Sequence, residues 1–264
     1  MILQEASLNT CLDSKPGNTL RCSSLTCVYG IQYEDSSFSA GYFGRETLTL
    51  TPTDVFPNFL FGCGQNNQGI VGCAAGLIGL GRDPIPLVSQ TAQKYNKIFS
   101  YCLPSSSSAI GHLTLGNGGG VSKSVKFTPL STMSRGSSFY GLDVTGITVG
   151  SKKLPISASI LSTSGTIIVP GTVITRLPPT AHSSLKSTFR QQMSQIRNTQ
   201  QLWLLSINAK GIFYVNKVTQ VCLAFAPNGD DSDVAIFGNV QQKTLEVVYD
   251  VAGGRVGFTP GGCS

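Results

Sequence analysis

Apolar and polar residues alternate over short runs along most of the chain. CVYGIQY (27–33) alternates, and TLTLTPTDVFPNFLFGCG (47–64) reads as two strands around a proline-containing turn. HLTLG, VKFTPL, FYGLDVTGITVG, GTIIV and TVITRL continue the pattern as β-branched runs punctuated by Gly and Pro. Helical periodicity is confined to LVSQTAQKY (87–95) and TAHSSLKSTFRQQMSQ (180–195). In the second segment Leu185, Phe189 and Met193 recur every four residues, and Thr180 is the expected N-cap after Pro178 and Pro179. The pattern predicts a mostly β protein with few helices.

SSSS (105–108) and GNGGG (116–120) read as loops flanking HLTLG, and they place a lobe boundary within 103–125. Residues 196–210, IRNTQQLWLLSINAK, hold the single Trp and follow neither period. One internal echo stands out. AAGLIGLGR (74–82) and DVAIFGNVQQK (233–243) each place two large apolar residues before a glycine and then turn polar.

Composition agrees with a turn-rich β protein: 41% hydrophobic, 12% charged, 30 Gly and 13 Pro in 264 residues. No apolar run approaches the roughly 18 residues of a membrane span. The start, MILQEASLNTC, has no basic head followed by a long apolar stretch and is not read as a signal peptide. The net charge of +6 comes from scattered Lys and Arg, with no run of five, so a nucleic-acid face is not expected. Eight cysteines, none in a C-x-x-C arrangement, and two distant histidines argue against zinc and for disulfides. Asp230, Asp231 and Asp233 are too few for a calcium loop and read as a solvated turn. No G-x-S-x-G elbow, P-loop or dinucleotide fingerprint is present. No metal or cofactor is expected.

The ordered set FGCGQNNQG, AAGLIGLGRD, FSYCLPSSSS, SFYGLDVTGITVG, GTIIVPGTVITRLPP and CLAFAPNGDDSDVAIFGNVQQKTLEVVYDVAGGRVGF resembles the pepsin-like aspartic peptidases, most of all their plant, nepenthesin-like branch. The resemblance is dense over about residues 20–195 and 211–264. It implies a mostly β, bilobal acid-protease fold with a pseudo-twofold axis. Each lobe of that fold carries an Asp-Thr/Ser-Gly-Thr/Ser loop beside a hydrophobic-hydrophobic-Gly strand, and the two carboxylates share a proton across a cleft. On this template residues 1–103 form a partial N-terminal lobe, 104–125 an interlobe connection, and 126–264 a C-terminal lobe shortened near 196–210.

The resemblance assigns Val169, Pro170, Gly171 and Thr172 to the C-lobe catalytic loop. Gly171 and Thr172 are kept, and the carboxylate is replaced by Val169. The N-lobe loop is absent: none of the nine Asp residues stands in Asp-Thr-Gly or Asp-Ser-Gly, and the chain is read as beginning after that position. Tyr33 matches the flap tyrosine and, with Thr172, is the expected substrate contact. Cys222 is expected to lack its usual partner, Cys73 to be an extra thiol, and Cys102 and Cys263 to bridge the two lobes near the interlobe sheet. Spacing alone leaves the connectivity open.

The expectation is a member of the aspartic endopeptidase family that is catalytically inactive in this chain and binds a peptide or protein in its cleft. Three alternatives stand beside it. One is residual endopeptidase activity with a recruited acid such as Asp13 or Asp35. Another is a protein inhibitor of the xylanase-inhibitor type, and the last is a truncated product without function. The family setting implies a secreted or endomembrane location, with the missing signal peptide against it.

Overall fold

A computed structural model describes residues 18–23, 26–33, 36–69, 75–106, 108–117, 124–132, 138–150, 152–196, 209–217 and 220–263. The chain divides into two compact units, Met1–Lys97 and Ile98–Ser264.

The first unit contains an antiparallel four-stranded sheet in chain order: β1 (Asn18–Ser23), β2 (Thr26–Gln32), β3 (Phe38–Thr51) and β4 (Asp54–Gln68). The 47–64 segment forms two strands around a turn at Pro52 and Thr53, as its pattern predicts, although both strands run longer than the alternation alone indicates. Glycines, β-branched residues and aromatics fill the extended pair. Two short helices follow, α1 (Leu87–Gln90) and α2 (Ala92–Tyr95). The helix expected over 87–95 is interrupted at Thr91, whose hydroxyl turns back on the Leu87 carbonyl at 2.7 Å. Gln90 ties α1 to β4 by accepting from Leu60 N–H and donating to Leu60 O, both at 2.8 Å.

The second unit begins with β5 (Ile98–Cys102), β6 (His112–Leu115), β7 (Lys126–Pro129), β8 (Gly141–Leu142), β9 (Thr148–Val149) and β10 (Lys152–Lys153). There follow α3 (Ala158–Ser164), β11 (Thr166–Ile168), β12 (Thr175–Leu177), α4 (Pro179–Ile196) and α5 (Ala209–Ile212). The unit closes with β13 (Phe213–Lys217), β14 (Gln220–Leu223), β15 (Phe225–Pro227), β16 (Ala235–Phe237), α6 (Asn239–Gln242), β17 (Leu245–Asp250) and β18 (Arg255–Pro260).

Two five-stranded sheets organise these elements, in the orders β6-β5-β17-β18-β7 and β15-β12-β16-β11-β8. The first sheet is antiparallel and carries an aromatic core. Phe99 stacks on Tyr249 at 4.5 Å between ring centres, and Tyr140 tilts against Tyr249 at 4.5 Å. The Tyr249 ring is fully buried, and burial holds its phenol well above the usual range. Tyr101 satisfies its buried hydroxyl by donating to Gln242 Oε1.

On α4, the buried row is Ala181, Leu185 and Thr188, with Phe189 half-buried and Met193 exposed. Its first turn is served by the Asp231 carboxylate, which accepts from Thr180 N–H at 2.9 Å and from the Thr180 hydroxyl. The cap predicted at Thr180 is therefore supplied from another loop, and the helix already begins at Pro179. Residues 197–208, most of the segment without a clear period, lie outside the described residues, as do Cys11 and Cys73.

A disulfide joins Cys102 to Cys263 as expected, but it does not bridge the two units, because both residues belong to the second. Cys63 and Cys222 are free and exposed, and Cys27 is disulfide-bonded.

Candidate functional site: the Val169–Thr172 loop

The loop grows out of β11. Gly165, with φ of +70°, ends α3 in a conformation that an L side chain resists, and it redirects the chain into the strand. Thr166, Ile167 and Ile168 then lie between β8, antiparallel, and β16, parallel, with Ile167 opposite Ile236 and Ile168 opposite Phe237. Pairing on both edges satisfies the backbone of the strand, and all three residues are buried, Ile167 and Ile168 as the apolar run expected of a strand buried on both faces.

Val169 extends the pairing by one residue, donating its N–H to Phe237 O at 3.1 Å. Thr172 N–H then closes a turn on Val169 O at 3.3 Å, and Pro170 stands where no donor is needed. The return path is pinned from α6. Asn239 N–H donates to Thr172 O at 2.7 Å, Val240 N–H to Val173 O at 3.0 Å, and Asn239 Nδ2 to Pro170 O at 3.0 Å. Because these bonds engage Thr172 and Val173, β12 starts only at Thr175 and not at Val173 as the alternation suggests.

Gly238 makes the close crossing possible. A Cβ there would lie 2.5 Å from the Ile174 carbonyl carbon, and the Gly238 N–H donates to Thr175 Oγ1 at 3.0 Å. Gln241, buried, donates to Gly211 O at 2.8 Å and Ala224 O at 3.0 Å, so the polar groups behind the loop are joined in one network. Asn239, Gln241 and Thr175 were not singled out from the sequence. The available signal was the polar NVQQ directly after the apolar-apolar-Gly step.

The loop's chemistry is apolar. Val169, 8% exposed, packs with Ile167 and Ile236 against Phe139 and Val234. Pro170 is buried, Thr172 half-buried and Gly171 exposed.

Several of the carboxylates described elsewhere have structural partners. Asp230 and Asp233 close their own turn, where the Ser232 N–H holds the Asp230 carboxyl below its ordinary value. Asp250 meets Arg255 at 2.8 Å, and Glu246 meets His112 at 2.8 Å. His182, on α4, is pushed below the ordinary imidazole value chiefly by burial.

A strand entering a tight Gly-Thr loop beside a parallel apolar-apolar-Gly strand matches the arrangement implied by the sequence resemblance, and comparison with known proteins agrees. The xylanase inhibitor N-terminal family matches residues 4–117, and the xylanase inhibitor C-terminal family matches 139–203 and 199–260. An aspartyl protease family protein of Arabidopsis thaliana is 54% identical over 280 residues, covering 96% of this chain and 59% of the relative. Aspartic proteinase nepenthesin-1 of Nepenthes gracilis is 32% identical over 278 residues, covering 92% and 62%. The crystal structure of the aspartic proteinase from Irpex lacteus superposes with a TM-score of 0.69 at 18% identity, covering 97% of this chain and 86% of that one.

This chain belongs to the pepsin-like aspartic peptidases. It has the mostly β, bilobal fold class of that family, and it spans about three-fifths of the length of the two curated relatives named.

Within the pepsin-like frame, Tyr33 sits in the hairpin between β2 and β3 in the first unit. Its N–H donates to Ser37 O at 2.9 Å, and Ser36 N–H returns to Tyr33 O at 3.0 Å. Ser36 takes the left-handed conformation, φ +67°, that closes the bend. The Tyr33 ring is half-buried and lines a groove of that unit with Phe38 and Phe61. Glu34 and Asp35 lie outside the described residues, as does Asp13. The two halves of the internal echo differ. Ile236-Phe237-Gly238 is a covered strand and its turn, whereas Leu77-Ile78-Gly79 belongs to no strand, with Leu77 42% and Ile78 53% exposed.

Proposed function

We propose that this chain binds a peptide or protein without hydrolysing it. One observation carries the reading: Val169, which the sequence resemblance assigns to the position of the family's aspartate, is buried in an apolar cluster. Peptide hydrolysis by this family needs a carboxylate to take a proton from water and a second acid to protonate the substrate. Valine offers neither, and the sequence contains no Asp-Thr-Gly or Asp-Ser-Gly elsewhere. The loop's backbone is nevertheless held by five hydrogen bonds, so it can present Gly171 and the Thr172 hydroxyl without catalysing.

The test is incubation of the purified chain with a denatured protein at pH 3–5, with and without pepstatin. No cleavage is expected, together with a saturable interaction with peptide that weakens in Thr172→Ala. Pepstatin-sensitive cleavage overturns the reading.

A second reading is inhibition of a xylanase, favoured by the description of both matching domain families. It predicts lost xylanase activity on titration with this chain.

A further inference from the structure

Two adjacent glutamines end α6, Gln241 and Gln242, 7% and 0% exposed. Amides at that depth need partners at both ends, and the two side chains find theirs in different directions. Gln241 Oε1 accepts from the Thr175 hydroxyl, and Thr175 Oγ1 in turn accepts from Gly238 N–H at 3.0 Å. Gln242 Nε2 donates to Phe237 O at 2.8 Å. Phe237 O and Gly238 N–H are the two polar groups of one peptide unit. That unit, at the turn from β16 into α6, is thus held at both ends by side chains.

The same Phe237 carbonyl accepts Val169 N–H at 3.1 Å, the last rung between β16 and the Val169–Thr172 loop. A carbonyl oxygen has two lone pairs. Here the loop takes one and Gln242 the other. Where the carbonyl points decides where the rung can form. The glycine on its far side leaves the unit freer to rotate than any other residue would, so the bonds at its two ends set that direction.

Gln242 is itself oriented. Phe237 O can only accept, so Nε2 faces it and Oε1 is left for the Tyr101 hydroxyl, which donates to it. With its one proton given to Gln242, Tyr101 accepts from the Tyr249 hydroxyl 3.3 Å away. A line of donors therefore runs from Tyr249 through Tyr101 and Gln242 to Phe237 O, out of the aromatic core and up to the rung that carries the loop. Tyr249, Tyr101 and Gln242 are each at most 1% exposed, so water does not replace a lost partner.

We propose that Gln242 is a positioning residue for the Val169–Thr172 loop: it aims the Phe237 carbonyl at the Val169 N–H, and Tyr101 holds it in the orientation to do so. This role concerns the order of the loop and does not depend on whether a peptide binds there. The competing role for Gln242 is to fill core volume.

The experiment is amide hydrogen exchange in the full chain, read as the rate at Val169 and Thr172 relative to Val247 and Val248 of β17. The ratio separates local loosening of the loop from a general loss of stability, which also speeds the core strand. Gln242→Leu removes both arms at comparable volume and should raise the ratio about tenfold. Tyr101→Phe should raise it less, in the same direction. Phe99→Leu removes the ring stacked on Tyr249 but no hydrogen-bonding group. It should lower the thermal midpoint without raising the ratio. Gln242→Glu adds a pH profile. Its fully buried carboxyl has a pKa above the ordinary value of roughly 4.3. Protonated, it donates O–H to Phe237 O as the amide does, whereas ionised it sets a charge against that carbonyl. The ratio should match the parent at about pH 4 and rise about tenfold by about pH 8, with the parent flat. The Tyr101 and Tyr249 phenols, which face the amide, stay protonated throughout because burial holds both well above their usual value. A Gln242→Leu ratio equal to the parent's overturns the proposal. So does an equal rise in Phe99→Leu, or a Gln242→Glu ratio indifferent to pH. If Gln242→Leu does not fold, the pH profile of Gln242→Glu, which has the shape of glutamine, decides alone.

Discussion

Asn239 donates from its side-chain nitrogen to the carbonyl oxygen of Pro170 at 3.0 Å, while its own backbone N–H holds Thr172 O at 2.7 Å. One residue at the start of α6 thus clamps both sides of the Val169–Thr172 turn. Asn239→Ala removes the first bond and keeps the second, leaving the Pro170 carbonyl without its donor. The expected cost is about 1–2 kcal/mol, read as a lower denaturant midpoint, with faster amide exchange at Gly171 and Thr172. A fall in stability without faster exchange there would show that the clamp does not order the loop.

Restoring the family's acid at one position should not restore chemistry. Val169→Asp places a carboxyl among Ile167, Ile236, Phe139 and Val234. Burial disfavours its charged form, so its folded pKa stands above the unfolded value of roughly 4. Such a group costs least while it is protonated in both states. The penalty therefore appears as pH rises through roughly 4 and is fully present above the raised folded pKa, where it is on the order of 3 kcal/mol. The expected result is no peptidase activity at pH 3–5 and a thermal midpoint that falls relative to the parent between pH 4 and 7. Activity in this single variant would mean that a second acid already faces the loop.

Much of this was legible in advance because the strands follow local alternation. CVYGIQY, HLTLG, VKFTPL, GTIIV and the two-strand 47–64 segment all appear as strands. What local pattern could not show was set by partners distant in sequence. Val173 and Ile174 have strand propensity, but the Thr172 and Val173 carbonyls are claimed by α6, which delays β12 to Thr175. Asp231 replaces Thr180 as the group serving the first turn of α4 from 51 residues away. The echo at 74–82 was visible as a pattern. The exposure of Leu77 and Ile78 was not, since exposure depends on what lies beside a segment and not on its own residues. The valine at 169 was readable directly, but its burial required the fold.

In the first unit, acid should loosen one specific tie. Asp54, at the start of β4, accepts from Lys94 Nζ and, at 2.6 Å, from the Tyr95 hydroxyl, joining the β3–β4 turn to α2. The bonds from Lys94 and then Tyr95 hold the Asp54 carboxyl at about 2, while burial and the same carboxylate push the Tyr95 phenol up to about 12. A depressed carboxyl contributes its stability above its unfolded value near 4 and loses it as pH falls toward 2. A raised phenol contributes below roughly 10 and loses as pH rises toward 12. Amide exchange of residues 92–95 should therefore be flat from pH 4 to 10 after correction for intrinsic rates, and should rise on either side. Asp54→Asn should remove the acid limb. An acid limb that persists in that variant would assign the effect to another group.

The disulfide makes the strongest stability prediction because of the length of chain it closes. Cys102 ends β5, where it faces His112 of β6 and Glu246 of β17, and Cys263 follows β18, so the bond ties the C-terminal end of the unit to its central sheet. With a sequence separation of 161 between the partners, loop closure alone predicts a loss on the order of 5 kcal/mol on removal, and native disulfides typically give roughly 2–5. Chemical reduction is a poor test, because Cys27 is also disulfide-bonded and would open with it. A single serine substitution would leave a thiol able to exchange with the exposed Cys63 and Cys222. The double variant Cys102→Ser/Cys263→Ser avoids both problems. It should lower the thermal midpoint of the second unit by about 5–15 °C, at roughly 2–4 °C per kcal/mol for a unit of this size. Amide exchange in β1–β4 should stay unchanged, since both cysteines belong to the second unit. An unchanged midpoint would mean that the unfolded chain is already as compact without the bond as with it. An equal loss in β1–β4 would mean that the two units unfold as one cooperative body.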